Sequence, residues 1–329
     1  MDLLRRSIAR GRVSHAYLFS GPRRIGKRTL ALAFARALNC ERLAAGSSPK
    51  VDPCGKCRRC RLIGAGKHPE VRVVGVQPPH RLIRVADVES IQADAALKPA
   101  DVQRKVYVIE QAELLNTDAA TRLLKTLEEP SGSVVFILTT TDPEATLPTI
   151  ASRCQQLRLR PLSRAELAGY LVDALGLAPE QAEGLAALGE GRVGWALQAA
   201  RDNRLVERRG RVLDELRGLL DADRLDRLQY ARALTERWGA QPELVRETLE
   251  TWLRWWRDLL LLQAGLSERI VNVDRRSELE GQARRLSSAD VSAATEGTHN
   301  TLLMLDQNVN PRLALDVCLL SLPRLDRAA

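Results

Sequence analysis

The chain has 329 residues, 45% of them hydrophobic, a formal net charge of +9 and a pI of about 9.6. That is enough for two or three domains with large cores. No apolar run approaches the ~20 residues of a membrane span, and Met1 to Arg6 lacks the apolar stretch and cleavage site of a signal peptide, so a cytoplasmic protein is expected. The positive charge suits a nucleic-acid-bound assembly, although the scattered arginines of an arginine-rich genome give the same bias.

The N-terminal half alternates strand and helix, the pattern of a parallel α/β sheet. Ala16 to Phe19 reads as the first strand and runs into Gly21-Pro22-Arg23-Arg24-Ile25-Gly26-Lys27, the G-x-x-x-x-G-K frame of a P-loop. Such a loop aims backbone N–H groups and its lysine at phosphates. Gly21, Gly26 and Lys27 are thus candidate nucleotide-binding residues. The next position should carry the Ser or Thr hydroxyl that holds Mg²⁺, and here it is Arg28. Thr29 offers a hydroxyl one helical step, ~100°, further round. Nucleotide binding is therefore expected to be weak or absent.

A helix over Arg28 to Asn39, with Leu30, Phe34, Ala37 and Leu38 on one side, leads to Cys40. Cys54-Gly55-Lys56-Cys57-Arg58-Arg59-Cys60 follows as C-x₂-C-x₂-C. Clustered cysteines in a long intracellular chain point to metal rather than disulfides. Four thiolates suit tetrahedral Zn²⁺ in a closed structural site, folding a small excursion that cannot build its own core. Cys40, Cys54, Cys57 and Cys60 form the expected set, with His68 the rival to Cys40 as fourth ligand. An iron–sulfur cluster uses similar spacing, and unliganded buried thiols are the bland alternative.

Further strands are expected over Val71 to Val74, Val106 to Ile109, Val134 to Leu138 and Gln156 to Leu159. The third strand ends in Glu110-Gln111-Ala112-Glu113, where a catalytic ATPase site needs an Asp-Glu pair to hold metal and orient water. A helix over Thr117 to Glu128 repeats apolar residues at Ala120, Leu123, Leu124 and Leu127, with Pro130 as its stop. Thr139-Thr140-Thr141, after the fourth strand, read as strand-end caps or, equally, as the γ-phosphate sensor that the family resemblance given below implies there.

After Pro161 the strand signals vanish. Ser163-Arg164-Ala165-Glu166 is a capping box. Short helices to about Ala200 make a small lid (163–204), with Arg201 to Arg204 a hinge. The remaining residues (205–329) read as amphipathic helices, among them Glu243 to Ala264 and Pro311 to Leu320, the latter opened by Asn310-Pro311. Trp252, Trp255 and Trp256 share one helical face, which suits core or subunit packing rather than base stacking.

Several of these motifs, in this order, resemble the bacterial clamp-loader subunits of the AAA+ class. Those carrying the resemblance are Ser14 to Phe19 leading into the P-loop, the four-cysteine insertion, Leu97-Lys98-Pro99, Leu123-Leu124-Lys125-Thr126-Leu127-Glu128-Glu129-Pro130, and Leu147-Pro148-Thr149-Ile150-Ala151-Ser152-Arg153-Cys154-Gln155. It is strong over about residues 1 to 200 and continues weakly through Asn308 to Leu315.

The resemblance implies an AAA+ P-loop parallel-sheet domain (1–162) with a zinc module at about 40–68, a helical lid and an all-α collar domain. Its ATP-hydrolysing members, gamma and tau, carry Gly-Lys-Thr or Gly-Lys-Ser, an Asp-Glu pair and a lid arginine. Here Arg28, Gln111 and Gly194 (in Gly191-Arg192-Val193-Gly194-Trp195-Ala196-Leu197) stand instead. The match is to the member that does not turn over ATP, a component of the DNA polymerase holoenzyme. The resemblance makes Arg153 an arginine finger acting in trans on a neighbouring subunit; from spacing alone a surface arginine at a helix end fits as well. The implied partners are the gamma/tau and delta subunits in a heteropentamer, the sliding clamp and primer-template DNA, contacted without sequence preference. An active gamma/tau-type ATPase and a plain zinc-dependent nucleic-acid-binding module are the rival readings.

Overall fold

The computed structural model describes residues 2–44, 52–77, 80, 82–129, 132–307 and 309–325; Pro130, expected to stop a helix, and Asn308 lie outside them. The described chain clusters into two compact units, Met1–Pro161 with Arg192–Gly194, and Leu162–Gly191 with Trp195–Ala329. No helix among the described residues is long and apolar enough to cross a membrane.

The first unit is built on β1 (Ala16–Ser20), β2 (Val71–Val74), β3 (Lys105–Ile109), β4 (Val134–Thr140) and β5 (Gln155–Arg158). All pairings are parallel and the spatial order is β2-β3-β4-β1-β5. This is the P-loop α/β architecture expected of the AAA+ class. Its helices are α1 (Asp2–Ala9), α2 (Lys27–Asn39), α3 (Glu41–Ala44), α4 (Arg58–Gly64), α5 (Val85–Ala95), α6 (Thr117–Glu128) and α7 (Pro148–Ala151).

The alternation of side chains along each strand divides the core in two. Ala16, Leu18, Tyr107, Ile109, Phe136 and Leu138 pack with Val88 and Ile91 of α5 and Leu123 and Leu127 of α6. Tyr17, Phe19, Val106, Val108, Val135 and Ile137 face the other way, against Leu4, Ala31, Phe34, Leu38 and Ile63. With both faces covered, β1, β3 and β4 are buried at every position, which is why each reads as an apolar run with polar residues only at an end.

The second unit is helical: α8 (Arg164–Leu175), α9 (Pro179–Gly189), most of α10 (Val193–Arg201), α11 (Arg204–Asp221), α12 (Arg224–Ala240), α13 (Pro242–Gln263), α14 (Arg276–Arg285), α15 (Ser288–Asp306) and α16 (Pro311–Leu320). The capping box forms, with Ser163 N–H donating to Glu166 Oε2 at 2.8 Å and Glu166 N–H to Ser163 Oγ at 3.2 Å. Asn310 Oδ1 caps α16 by accepting from Arg312 N–H at 3.0 Å. Trp252, Trp255 and Trp256 are all but fully buried at the centre of this unit's core, as packing residues. The buried Asp258 on α13 accepts from Val271 N–H at 2.8 Å and Asn272 N–H at 2.7 Å, satisfying a non-helical turn that would otherwise bury free donors.

In the first unit a similar device joins the edge strand to the loop before β3. The Glu70 carboxylate accepts from the N–H groups of Ala100, Asp101 and Val102 at 2.7, 2.9 and 3.2 Å. Burial opposes its ionisation, but these donors and the charge of Lys105 outweigh burial and hold its pKa below the ordinary value. A depressed carboxylate stabilises the fold above its unfolded pKa of about 4.3 and loses that contribution as pH falls through its folded pKa. The stability difference between wild type and Glu70→Gln, followed by urea unfolding from pH 3 to 7, should be greatest above about pH 5 and shrink below it. A difference independent of pH would mean that the charge of Glu70 contributes nothing.

Candidate functional site

The P-loop leaves the carboxyl end of β1, flanked by β4 and β5, and the end of β3 lies one strand beyond β4. Carboxyl ends of parallel strands are where open α/β sheets bind ligands. The loop adopts a turn that needs positive φ at Gly21 (150°), Arg24 (59°) and Gly26 (109°). Its lysine, however, is turned onto the loop itself. Lys27 Nζ donates to the carbonyls of Gly21 at 2.5 Å and Pro22 at 2.9 Å. Burial lowers its pKa to about 8, with Glu113 opposing and Arg23 adding to the shift.

Arg28, at the magnesium-hydroxyl position, sends Nη1 to within 3.3 Å of Glu110 Oε2 at the end of β3. A guanidinium and a carboxylate thus neutralise each other across the place where a catalytic site holds its metal. Thr29 is exposed on α2. Gln111 takes the left-handed backbone region (φ 55°), and its N–H donates to Thr139 Oγ1 at 3.3 Å. Glu113 accepts from both the N–H and the hydroxyl of Thr141, at 3.1 and 2.7 Å, and Thr140 Oγ1 donates to the Asp142 carbonyl at 2.7 Å. All three threonine hydroxyls thus have partners at the end of β4, as strand-end caps would.

Gly194, where active relatives of this fold are expected to carry an arginine, lies directly on the loop. A Cβ at this position would stand 2.5 Å from the Arg24 carbonyl oxygen. That distance leaves no room for any side chain without moving backbone. Gly194→Ala should cost about 1–3 kcal/mol in urea unfolding. Gly184→Ala, whose Cβ would meet nothing within 4 Å, should be neutral or stabilising by up to about 1 kcal/mol. Equal effects would sink the packing argument.

The four cysteines meet as expected. The sulfurs of Cys40, Cys54, Cys57 and Cys60 all lie within 4.8 Å of one another. Thiolates ~2.3 Å from one tetrahedral ion stand ~3.8 Å apart, so the set is of the right size. Cys40 sits at the C-cap of α2, and Cys57 is the N-cap of α4. Backbone donors already point at sulfur: Cys54 N–H at Cys40 Sγ (3.5 Å), Cys57 N–H at Cys54 Sγ (3.3 Å) and Cys60 N–H at Cys57 Sγ (3.5 Å). The N–H groups of Cys57 and Lys56 lower the Cys54 thiol to about 6, while burial pushes Cys60 up.

His68 is not in this group. Its Nδ1 accepts from Glu70 N–H at 3.2 Å, and its Nε2 faces Asp101 Oδ2 at 3.3 Å. The charges of Arg58 and Arg59, which flank the ligands, are likewise directed at Asp101, at 2.9 and 3.7 Å. The cluster can hold one thiophilic metal ion. About one ion per chain should be released on titration with a mercurial reagent, and Cys54→Ser should lower that yield; release unchanged by the substitution would place the metal elsewhere.

Arg153 follows the single turn of α7 and is partly exposed. Its Nη1 donates to the Thr149 carbonyl at 2.9 Å and its Nη2 to Glu128 Oε1 at 2.5 Å. Cys154 beside it is buried, and burial alone raises its thiol pKa to about 12, which makes it an inert packing residue. Sequence reasoning gave no role to Glu128, Glu113 or Asp101. Each acts across a long separation in the chain, which no local spacing records.

Comparison with known proteins follows the same lines. Residues 1–163 match the family described as DNA polymerase III, delta subunit. The chain is 29% identical over 315 residues to DNA polymerase III subunit delta' of Bacillus subtilis, covering 94% of this chain and 91% of that one. It is 32% identical over 283 residues to the tau subunit of Escherichia coli, of which it spans 42%. It is 36% identical over 234 residues to subunit delta' of Pseudomonas aeruginosa, covering 71% of this chain and 68% of that one. At that identity over that much of a full relative, and with the P-loop sheet and four-cysteine module in place, this chain belongs to the DNA polymerase III delta' family of clamp-loader subunits.

Proposed function

We propose that this chain is a non-hydrolysing, stator-like subunit of the bacterial clamp loader that lends Arg153 to a neighbouring ATPase subunit. The observation that carries the first half is Arg28, which stands where the metal-holding hydroxyl belongs. The Arg28–Glu110 pair and the seat of Gly194 on Arg24 support the same reading. Without a metal-holding hydroxyl and an Asp-Glu pair, the loop offers nothing to orient water against a γ-phosphate.

The second half rests on the position of Arg153. A guanidinium presented at the surface beyond the sheet can reach a nucleotide held by another subunit and neutralise charge developing on its γ-phosphate, an effect worth ~10³-fold or more in rate. The partners proposed are the gamma/tau and delta subunits in a heteropentamer that opens the sliding clamp and sets it on primer-template DNA. Residues 163–204 would serve as the lid and 205–329 as the collar domain. The metal proposed for Cys40, Cys54, Cys57 and Cys60 is Zn²⁺. It would be held in a closed structural site, and it supplies folding energy rather than chemistry.

The test is single-turnover ATP hydrolysis by the reconstituted loader with primed DNA and clamp. Arg153→Ala should slow the site that it faces on the order of 10³-fold, with assembly intact by gel filtration and no hydrolysis by the isolated chain. No loss would reduce Arg153 to a structural arginine. Hydrolysis by the isolated chain would favour the gamma/tau-type reading.

A further inference from the structure

We infer that Glu128 is a positioning residue for Arg153, fixing the guanidinium in the orientation that a neighbouring subunit's nucleotide meets. This rests on the finger reading above and adds a residue to it. A free arginine samples many rotamers, and a finger that must find the right one at each encounter loses effective concentration. In this protein the rotamer is already chosen. The base of Arg153 is rooted by its buried neighbours, Ile150 on α7 and Cys154. Its tip is tied from two directions, by the Thr149 carbonyl of α7 and by the carboxylate of the last residue of α6. α6 in turn is anchored in the core by Leu123 and Leu127. Two tethers from two separately buried elements fix the plane of the group as well as its position.

The contact is also of the kind that leaves the finger usable. A carboxylate that sequestered the arginine would take it bidentately, with two parallel N–H···O bonds. Here Nη2 alone meets Glu128 Oε1, and Nη1 goes to a carbonyl. A guanidinium has five N–H donors, so those beyond these two contacts remain to meet phosphate oxygens. Both side chains are accessible, 36% for Arg153 and 50% for Glu128, so the pair is presented at the surface.

The experiment is a double-mutant cycle in the reconstituted loader, reading kcat and KM for ATP in the presence of primed DNA and clamp. Glu128→Ala should lower kcat roughly 10- to 100-fold with KM unchanged. Glu128→Gln, which keeps a neutral acceptor of the same shape, should recover part of that loss. In an Arg153→Ala background Glu128→Ala should have no further effect, because its only route to the chemistry is gone. Thermal melts identify a variant that fails to fold, for which Glu128→Gln then carries the comparison. An equal loss in both backgrounds would make Glu128 a general prop of α6 and overturn the inference. Unchanged or raised activity from Glu128→Ala alone, with Arg153→Ala strongly impaired, would overturn it while leaving the finger in place. An unimpaired Arg153→Ala loader would remove the finger reading and this inference with it.

Discussion

The strand β1 is hydrogen-bonded along both edges and buried on both faces, and the candidate nucleotide site is laid out from its carboxyl end. Such a strand cannot slip by one residue without driving one core face into the other. The P-loop that leaves it is therefore held in place whether or not it binds anything. The same burial brings the ends of β3 and β4 alongside, so that Glu110, Gln111 and Thr139 to Thr141 converge on the loop from separate parts of the chain. The scaffold of a nucleotide site is thus kept by packing alone, independently of the polar residues set on it.

What those polar residues do is satisfy one another. Here the lysine completes itself against backbone carbonyls, Arg28 and Glu110 complete each other, and Glu113 is occupied by Thr141. Gly194 follows sterically: its backbone rests on the loop, and a Cβ there would stand 2.5 Å from the Arg24 carbonyl oxygen.

The four-cysteine module is built on the same principle with different chemistry. The segment between α3 and β2 is too short for a core of its own, and the apolar residues that its described part buries are Cys60 and Ile63. Its order comes from the sulfur cluster and from Asp101, which gathers Arg58, Arg59 and His68. Asp101 belongs to the same turn that Glu70 caps. The module, the edge strand and the loop before β3 are therefore one connected polar structure.

The sequence by itself determined the elements and their chemistry. Apolar runs at β1, β3 and β4 follow from a sheet covered on both faces, the capping box at Ser163 and the Asn310-Pro311 start follow from helix-end hydrogen bonding, and the cysteine spacing follows from what four thiolates can enclose. These are local rules, with periods or offsets of a few residues, and local rules are written in order along a chain. Only the tertiary structure decided where the charges go. Lys27 could have faced outward, His68 could have joined the cysteines, and Arg153 could have been a lone surface cation. Their partners are carbonyls within the loop's own turn, a carboxylate across the metal module and a glutamate 25 residues away. A charged side chain takes whichever opposite charge or dipole the fold brings within about 3 Å, and that choice is made by strand order and helix packing.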